Sequence, residues 1–482
     1  MPSSPESAIS VPSARTLEVD PAISAVIVHP GAPEAMPARV ALPQGVPGEV
    51  GVLAATRALF NGLRHGVAYD AAQRERHGNL YRGMYAAEPV LFVWDADEVQ
   101  RIMRNEHGLW SAGMGWDALV FDKMRPQRGN FGGLLSMDFD PHRLARKLVQ
   151  PAFTQKALKG YLETALGRVE STVSHWIESG RVDFKRASRG LMAGVSSEIF
   201  TGISDPAQVA SIDQALSDFW HGPLALIKDA RFGPSLRRAI RGLATLESEL
   251  KALLPVRRAA PGKDLFSQMC QVESEGDTSD RALIYIFLTI MFAAFDTTAH
   301  GVTSMAYLLA KHPSWQERLR SEALRVMSGG ITWSGLQQLE QLEWAWKETL
   351  RLMPINAGLP RRALRDFELL GHSFRAGTFV AAMAGAMGRH PNWWSDPLQF
   401  DPERFSPQRA EDKKHPAIYL PFGGGAHACV GMQLATLETK LLFYTLVTRC
   451  RFELARDYTA RHTMTPVGCV SGKVALKLTR LS

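Results

Sequence analysis

Between Pro421 and Gly431 the chain reads PFGGGAHACVG, three consecutive glycines followed by a histidine and a cysteine. Two chemistries compete for this loop. Gly423, Gly425 and Ala428 satisfy a relaxed GxGxxG/A pattern that lets backbone cradle a dinucleotide pyrophosphate at a helix N-terminus. Cys429, in a turn of small residues at the start of a helix whose N–H groups favour an anion, is placed to be a thiolate ligand to a metal. The nucleotide alternative needs a ladder-forming strand before the glycines, where Pro421 deletes an N–H, and βαβ alternation, which the chain lacks. Glu453, the best remaining acid for a ribose, reads equally well as a strand-edge glutamate.

A second chemical grouping is Asp296-Thr297-Thr298 in the middle of an apolar run. A carboxylate in an apolar interior costs several kcal/mol unless it is paired. Either the threonines bond back to carbonyls one turn earlier while Asp296 reaches the surface or an arginine, or Asp296 and Thr297 form a proton relay beside a reaction centre. Glu348 and Arg351 in AWKETLRLMP lie at i and i+3 on one helix face, where a bidentate ion pair can form, either as an everyday surface pair or, with Arg404 of FDPERF, as a Glu-Arg-Arg network. In PHRLAR, His142 and Arg146 share a face at i and i+4, a pair of cations that suits an anion.

The elements that must position these groups are mostly helical. From about Gly51 the pattern is mostly 3.6-periodic, with a few β-like pieces such as PVLFVW, FELLGHSF and TFVAAM. The clearest helix starts at a Ser279 N-cap and stops at Pro313. Its apolar stretch is interrupted after roughly thirteen residues, too few to cross a bilayer of ~30 Å, so it is expected to run buried through the molecule rather than anchor it in a membrane.

The chain has 482 residues, 45% of them hydrophobic and 21% charged, enough to bury a core around a sizeable cofactor. The net charge of +7 is spread without dense Lys/Arg blocks, which excludes nucleic acid as the evident partner and fits a local basic face for an acidic protein. Cys270, Cys429, Cys450 and Cys469 contain no CxxC pair, so neither a zinc ribbon nor a disulfide scaffold is indicated, and a cytoplasmic location is expected. Residues 1–45, rich in Pro, Ala and Ser, read as a flexible arm, with a single domain over 46–482.

In combination these motifs resemble the cytochrome P-450 superfamily of haem-thiolate monooxygenases, and soluble bacterial members most. PFGGGAHACVG is similar to its haem-binding loop, AAFDTT to its oxygen-activating stretch, and KETLR with PERF to its Glu-x-x-Arg helix and arginine partner. Ala294 stands where the family usually has Gly, and His427 where Arg is commoner. The resemblance implies a mainly α, helix-rich fold with small β-sheets and haem b (iron protoporphyrin IX) between the long central helix and the Cys-loop helix. It implies Cys429 as iron ligand, Phe422, Gly423 and Gly431 shaping the loop, and His142, Arg146, Arg361 and His427 on the haem propionates. Asp296 and Thr297 would be catalytic, and Glu348, Arg351 and Arg404 structural. Electrons would come from NAD(P)H through a separate reductase and a ferredoxin or flavodoxin-type partner docking near Arg143, Lys147, Lys156 and Lys159. The substrate would be a lipophilic small molecule in a channel lined by residues 108–124 and 218–227, with Lys228, Arg231, Arg237, Arg238 and Arg241 at its mouth or on a solvated helix face.

Overall fold

The computed structural model describes residues 40–85, 88–116, 133–220, 222, 233–272, 278–327, 329–455, 459–464 and 467–481. The central element is the helix Asp280–Lys311, whose Ser279 side chain accepts from the Ala282 N–H at 3.3 Å, as a helix N-cap should. It ends because Pro313 opens the next helix, Pro313–Val326, and cannot continue this one. Apolar on nearly every side, it is buried over most of its length. By length and composition it could cross a membrane, yet two-thirds of its most apolar window, 67%, is packed inside the fold. Phe184–Thr201, Pro234–Ala259 and Glu340–Leu352 pack against it.

The β-like pieces form the expected strands. Leu80–Tyr85, Glu88–Val93, Phe379–Ala382, Leu359–Ala363 and Trp110–Ser111 make one five-stranded sheet in that spatial order, with Glu88–Val93 and Phe379–Ala382 parallel and the other neighbours antiparallel. Phe367–Leu369 and His372–Phe374 pair as a hairpin. Leu42 and Val46 are buried in the cluster beneath the large sheet. Packing therefore begins inside the expected arm, because Leu42 finds an apolar slot there; residues 1–39 of that arm lie outside the described residues.

From Gly385 to Gly431 the chain makes turns and 3-10 segments but no α-helix or strand. A stretch this long leaves many backbone groups to be satisfied by other means. The Glu348, Arg351 and Arg404 side chains, all essentially inaccessible, satisfy them. Arg351 forms a bidentate pair with Glu348, Nε to Oε2 at 2.6 Å and Nη2 to Oε1 at 2.8 Å. It also donates to the carbonyls of Gly388, Pro397 and Gln399 at 2.6, 2.7 and 3.0 Å. Arg404 donates to Glu348 at 3.3 Å and to the Asp396 carbonyl at 2.9 Å, and also reaches the Ser395 carbonyl. Glu348 in turn accepts from the Asp401 N–H at 2.8 Å. Glu411, which the sequence did not mark, extends the network by taking Arg404 at 3.4 Å and Arg409 at 2.5 Å. Burial would raise its carboxyl, but hydrogen bonds from Arg409 and Ser395 outweigh that and hold it at about 2.

Replacing Arg404 by Leu leaves Glu348 short of a partner and two carbonyls without a donor. Urea unfolding should show a loss of about 3–5 kcal/mol, the usual cost of breaking a buried ion pair on one side.

Candidate functional site

The Cys loop is shaped by two glycines in the left-handed region, Gly423 at φ +71° and Gly425 at φ +65°. A Cβ on Gly425 would lie 2.0 Å from the Met103 carbonyl oxygen, so only glycine lets the loop rest on the end of helix Ala96–Arg104. The turn closes with Cys429 N–H donating to the Phe422 carbonyl at 2.9 Å and Ala428 N–H to Gly425 at 3.1 Å. Helix Met432–Arg449 then begins at the Gly431 N-cap. No strand runs into the glycines, and Glu453 sits on strand Cys450–Leu454 paired with Lys477 at 2.9 Å. The loop is therefore not a dinucleotide cradle.

Cys429 is an exposed residue although protein surrounds it deeply. It therefore faces an opening inside the fold. Burial raises its thiol pKa, while the Gly431 and Met432 N–H groups and Arg146 work the other way by favouring the thiolate. Among the other cysteines, Cys450 is buried and pushed to about 12 by desolvation, the environment of an inert core thiol. On the central helix Ala293 is exposed between buried Phe292 and Phe295. Thr297, one turn on, shares that face and donates its hydroxyl to the Ala293 carbonyl at 2.7 Å. Asp296 accepts from Arg189 Nε at 2.8 Å, and Arg189 Nη1 pairs with Asp213 at 2.8 Å. Both contacts of the purely structural alternative are thus present. They leave the Thr297 oxygen its acceptor lone pairs. Ala294, Phe422 and Val430 are each partly buried against the main core cluster.

The charged groups beside the loop differ from the expected pair of cations. His142 stacks on His427 at 3.9 Å between ring centroids. Burial, aided by the cost of a second charge beside the His427 ring and Arg146, pushes His142 down to about 3, so it is neutral at pH 7. His427 is likewise lowered, by burial against the opposing pull of Asp138. Arg146 donates Nη1 to the Ala426 and Ala428 carbonyls at 3.0 and 2.7 Å, clamping the loop. Arg361 is buried, lowered to about 10 by desolvation and still protonated at neutral pH, with Nη2 at 3.7 Å from Met103 Sδ. Its neighbour Arg362 points elsewhere, to Glu88 at 3.6 Å and the Gly377 carbonyl at 3.0 Å.

Asp138 was missed in the sequence, where nothing but its place one residue before helix Phe139–Val149 sets it apart. Its buried carboxyl accepts from Ser111 Oγ at 2.5 Å, Ala112 N–H at 2.9 Å and Gly113 N–H at 3.1 Å, and lies 3.3 Å from His427 Nε2. Burial raises its pKa, but His427, Ser111 and Gly113 together outweigh this and hold it below the usual carboxylate range. Arg146, Arg361 and Asp138 thus leave one surplus positive charge next to neutral imidazole donors, a setting that receives carboxylates.

Of the expected substrate channel, residues 117–124, 221 and 223–227 lie outside the described residues, as do Lys228 and Arg231. Trp110 and Phe219 are buried, and Trp220 stacks on Phe292 of the central helix at 4.1 Å. Arg238 pairs with Asp218 at 2.6 Å.

A family model described as Cytochrome P450 matches residues 208–479. Putative cytochrome P450 136 of Mycobacterium tuberculosis (strain ATCC 25618 / H37Rv) is 34% identical over 410 residues, covering 83% of this chain and 81% of that protein. Cytochrome P450 26B1 of Homo sapiens is 30% identical over 424 residues, covering 84% and 81%. The solved structure of retinoic acid bound cyanobacterial CYP120A1 is similar with a TM-score of 0.80 at 23% identity, covering 88% of this chain and 96% of that one.

Asp138→Asn should lower stability by about 1–3 kcal/mol near pH 7, because a buried acceptor of several donors becomes half donor. A carboxylate with a depressed folded pKa contributes stability above its unfolded value of about 4 and loses it as pH falls through the folded value. The gap between wild type and variant in urea midpoints should therefore close below about pH 4.

Proposed function

The chain belongs to the cytochrome P450 family and is a haem-dependent monooxygenase; from that premise we propose that Cys429 is its iron ligand and that it hydroxylates a lipophilic small molecule with electrons from a separate protein. The observation that carries this reading is Cys429 itself, open to the interior, with the Gly431 and Met432 N–H groups favouring its anion.

The residues present suit a haem. Among the described residues no group of three or more His, Cys, Asp or Glu could hold a metal by itself, so a single thiolate needs a ligand that brings its other donors. The exposed Ala293 and Cys429 give that planar group somewhere to lie. Its two carboxylates would meet the Arg146 and Arg361 charges and the His142 and His427 donors. Bound there, haem supplies dioxygen activation and the oxidation itself.

The chain's own contribution is to hold, orient and exclude. Gly423 and Gly425 bring backbone close, and the N–H groups of Gly431 and Met432 tune the sulfur. Phe422, partly buried against the core, keeps water from it. Thr297, its proton committed to Ala293, accepts from and so positions a water on the open face of the central helix. Asp296 moves protons to that water when it swings from Arg189, whose second carboxylate partner, Asp213, holds the guanidinium in place meanwhile. Arg143, Lys147, Lys156 and Lys159 are all exposed, and Arg143 and Lys147 share a helix with Arg146, which touches the Cys loop. Their charge suits an acidic ferredoxin delivering electrons near the sulfur.

Cys429→Ala should abolish the carbon-monoxide-difference band that marks thiolate-ligated haem; an unchanged band removes the ligand assignment. Thr297→Ala should keep that band while diverting reducing equivalents to peroxide, lowering product formed per NAD(P)H consumed about tenfold. Unchanged coupling would return Thr297 to the helix-bonding role alone.

A further inference from the structure

Helix Val52–His65 meets strand Leu80–Tyr85 of the large sheet through its small residues. Ala54 and Ala58, at i and i+4, share a face and line one cavity with Gly83 and Met84, while the bulkier Leu59 and Phe60 are exposed. Small groups on both sides leave a cavity of about 60 Å³, room for several water molecules. A Cβ on Gly83 would lie 3.0 Å from the Phe92 ring, so glycine keeps that ring open to the cavity.

The inner wall is aromatic. Tyr81 and Phe92 stack at 4.9 Å between centroids, and the His77 ring lies 5.8 Å from Tyr81. Asp70, on helix Val67–His77, sets its carboxylate in this wall with no hydrogen bond and no ion pair among the described residues. Desolvation raises that carboxyl to about 7, and no cation lies near enough to draw it back. The phenols of Tyr69, Tyr81 and Tyr85 are raised by burial and then by the Asp70 charge, which stands in their midst. The other charges on the cavity are answered. Arg57 pairs with Glu49 at 2.6 Å, Arg82 donates to the Gly48 and Pro43 carbonyls at 3.2 and 3.4 Å, and Arg76 is exposed to water.

We propose that this cavity binds a small organic ammonium ion, held by the Asp70 carboxylate and by the ring faces of Tyr81 and Phe92. A soft, weakly hydrated cation gains from the carboxylate and from the aromatic faces together, and it supplies the countercharge that Asp70 lacks. A hard metal ion fits less well, because it takes about six oxygen ligands and the aromatic wall offers it few. None of the lining residues belongs to the groups around Cys429, so the proposal does not depend on the oxygenase reading.

The test is isothermal titration of the full-length holoenzyme with tetramethylammonium chloride, against sodium chloride at equal ionic strength. Tetramethylammonium should bind saturably and sodium should not. Affinity should fall as pH is lowered through about 7, where Asp70 takes up a proton. Asp70→Asn keeps the volume and removes an unpaired charge, so the variant folds, and it should weaken binding at least about tenfold. In that variant the pH dependence should vanish, which separates Asp70 from the His77 imidazole on the same wall. Phe92→Leu, which keeps an apolar wall and removes the ring, should weaken binding about threefold. The haem absorption spectrum should not move during the titration. The proposal is overturned if tetramethylammonium shows no saturable binding, if sodium binds equally, or if Asp70→Asn binds like wild type. It is equally overturned if the titration shifts the haem spectrum to the same extent in Asp70→Asn as in wild type, which places the ion beside the iron.

Discussion

The arrangement around Cys429 depends on a problem of unpaired carbonyls. The chain between the sheet and the Cys-loop helix has no ladder of its own, and the carbonyls of Gly388, Pro397 and Gln399 face buried side chains there. Two guanidiniums, each a fork of donors, take the place of a ladder. Glu348 makes their burial tolerable by supplying the countercharge, and it is itself satisfied by Asp401 N–H. A lysine in either place would bring fewer, undirected donors. The helix Glu340–Leu352 that presents Glu348 and Arg351 is tied to the Cys-loop helix by Lys440 and Glu343 at 2.8 Å, so the network and the cysteine share one frame.

A second layer of positioning is made by single side chains that join distant segments. Arg146 holds the loop by its carbonyls, and Asp138 joins His427 to the N–H groups of Ala112 and Gly113. Asp296 belongs to the same class, since Arg189 anchors it from another helix. Each is a polar group given defined partners in a region of low dielectric, where an unmet hydrogen bond is costly.

What could be read from the sequence was what local chemistry determines. Ser279 and Pro313 bracket the central helix because caps and proline act within one turn. The i, i+3 spacing of Glu348 and Arg351 and the short apolar runs PVLFVW and TFVAAM carried their own geometry. Long-range partners carried no such signal. Asp138 meets Ser111 from 27 residues away, and Arg189 meets Asp296 from 107; no periodicity marks either. His142 was a correct neighbour of Arg146 with the wrong charge, because the desolvation and ring stacking that neutralise it arise only in the folded chain. The helix Val52–His65 shows the same limit: its pattern reveals two faces but not which one the body will take.

The surplus cation left by Arg146, Arg361 and Asp138 also bears on how the polypeptide matures. Two guanidiniums answered by one carboxylate leave this corner short of negative charge, which an anionic group bound there would supply. Folding free energy and prosthetic-group capture are therefore linked quantities here. A group that binds only the folded chain stabilises it by mass action, so the chain without it is the more easily opened form.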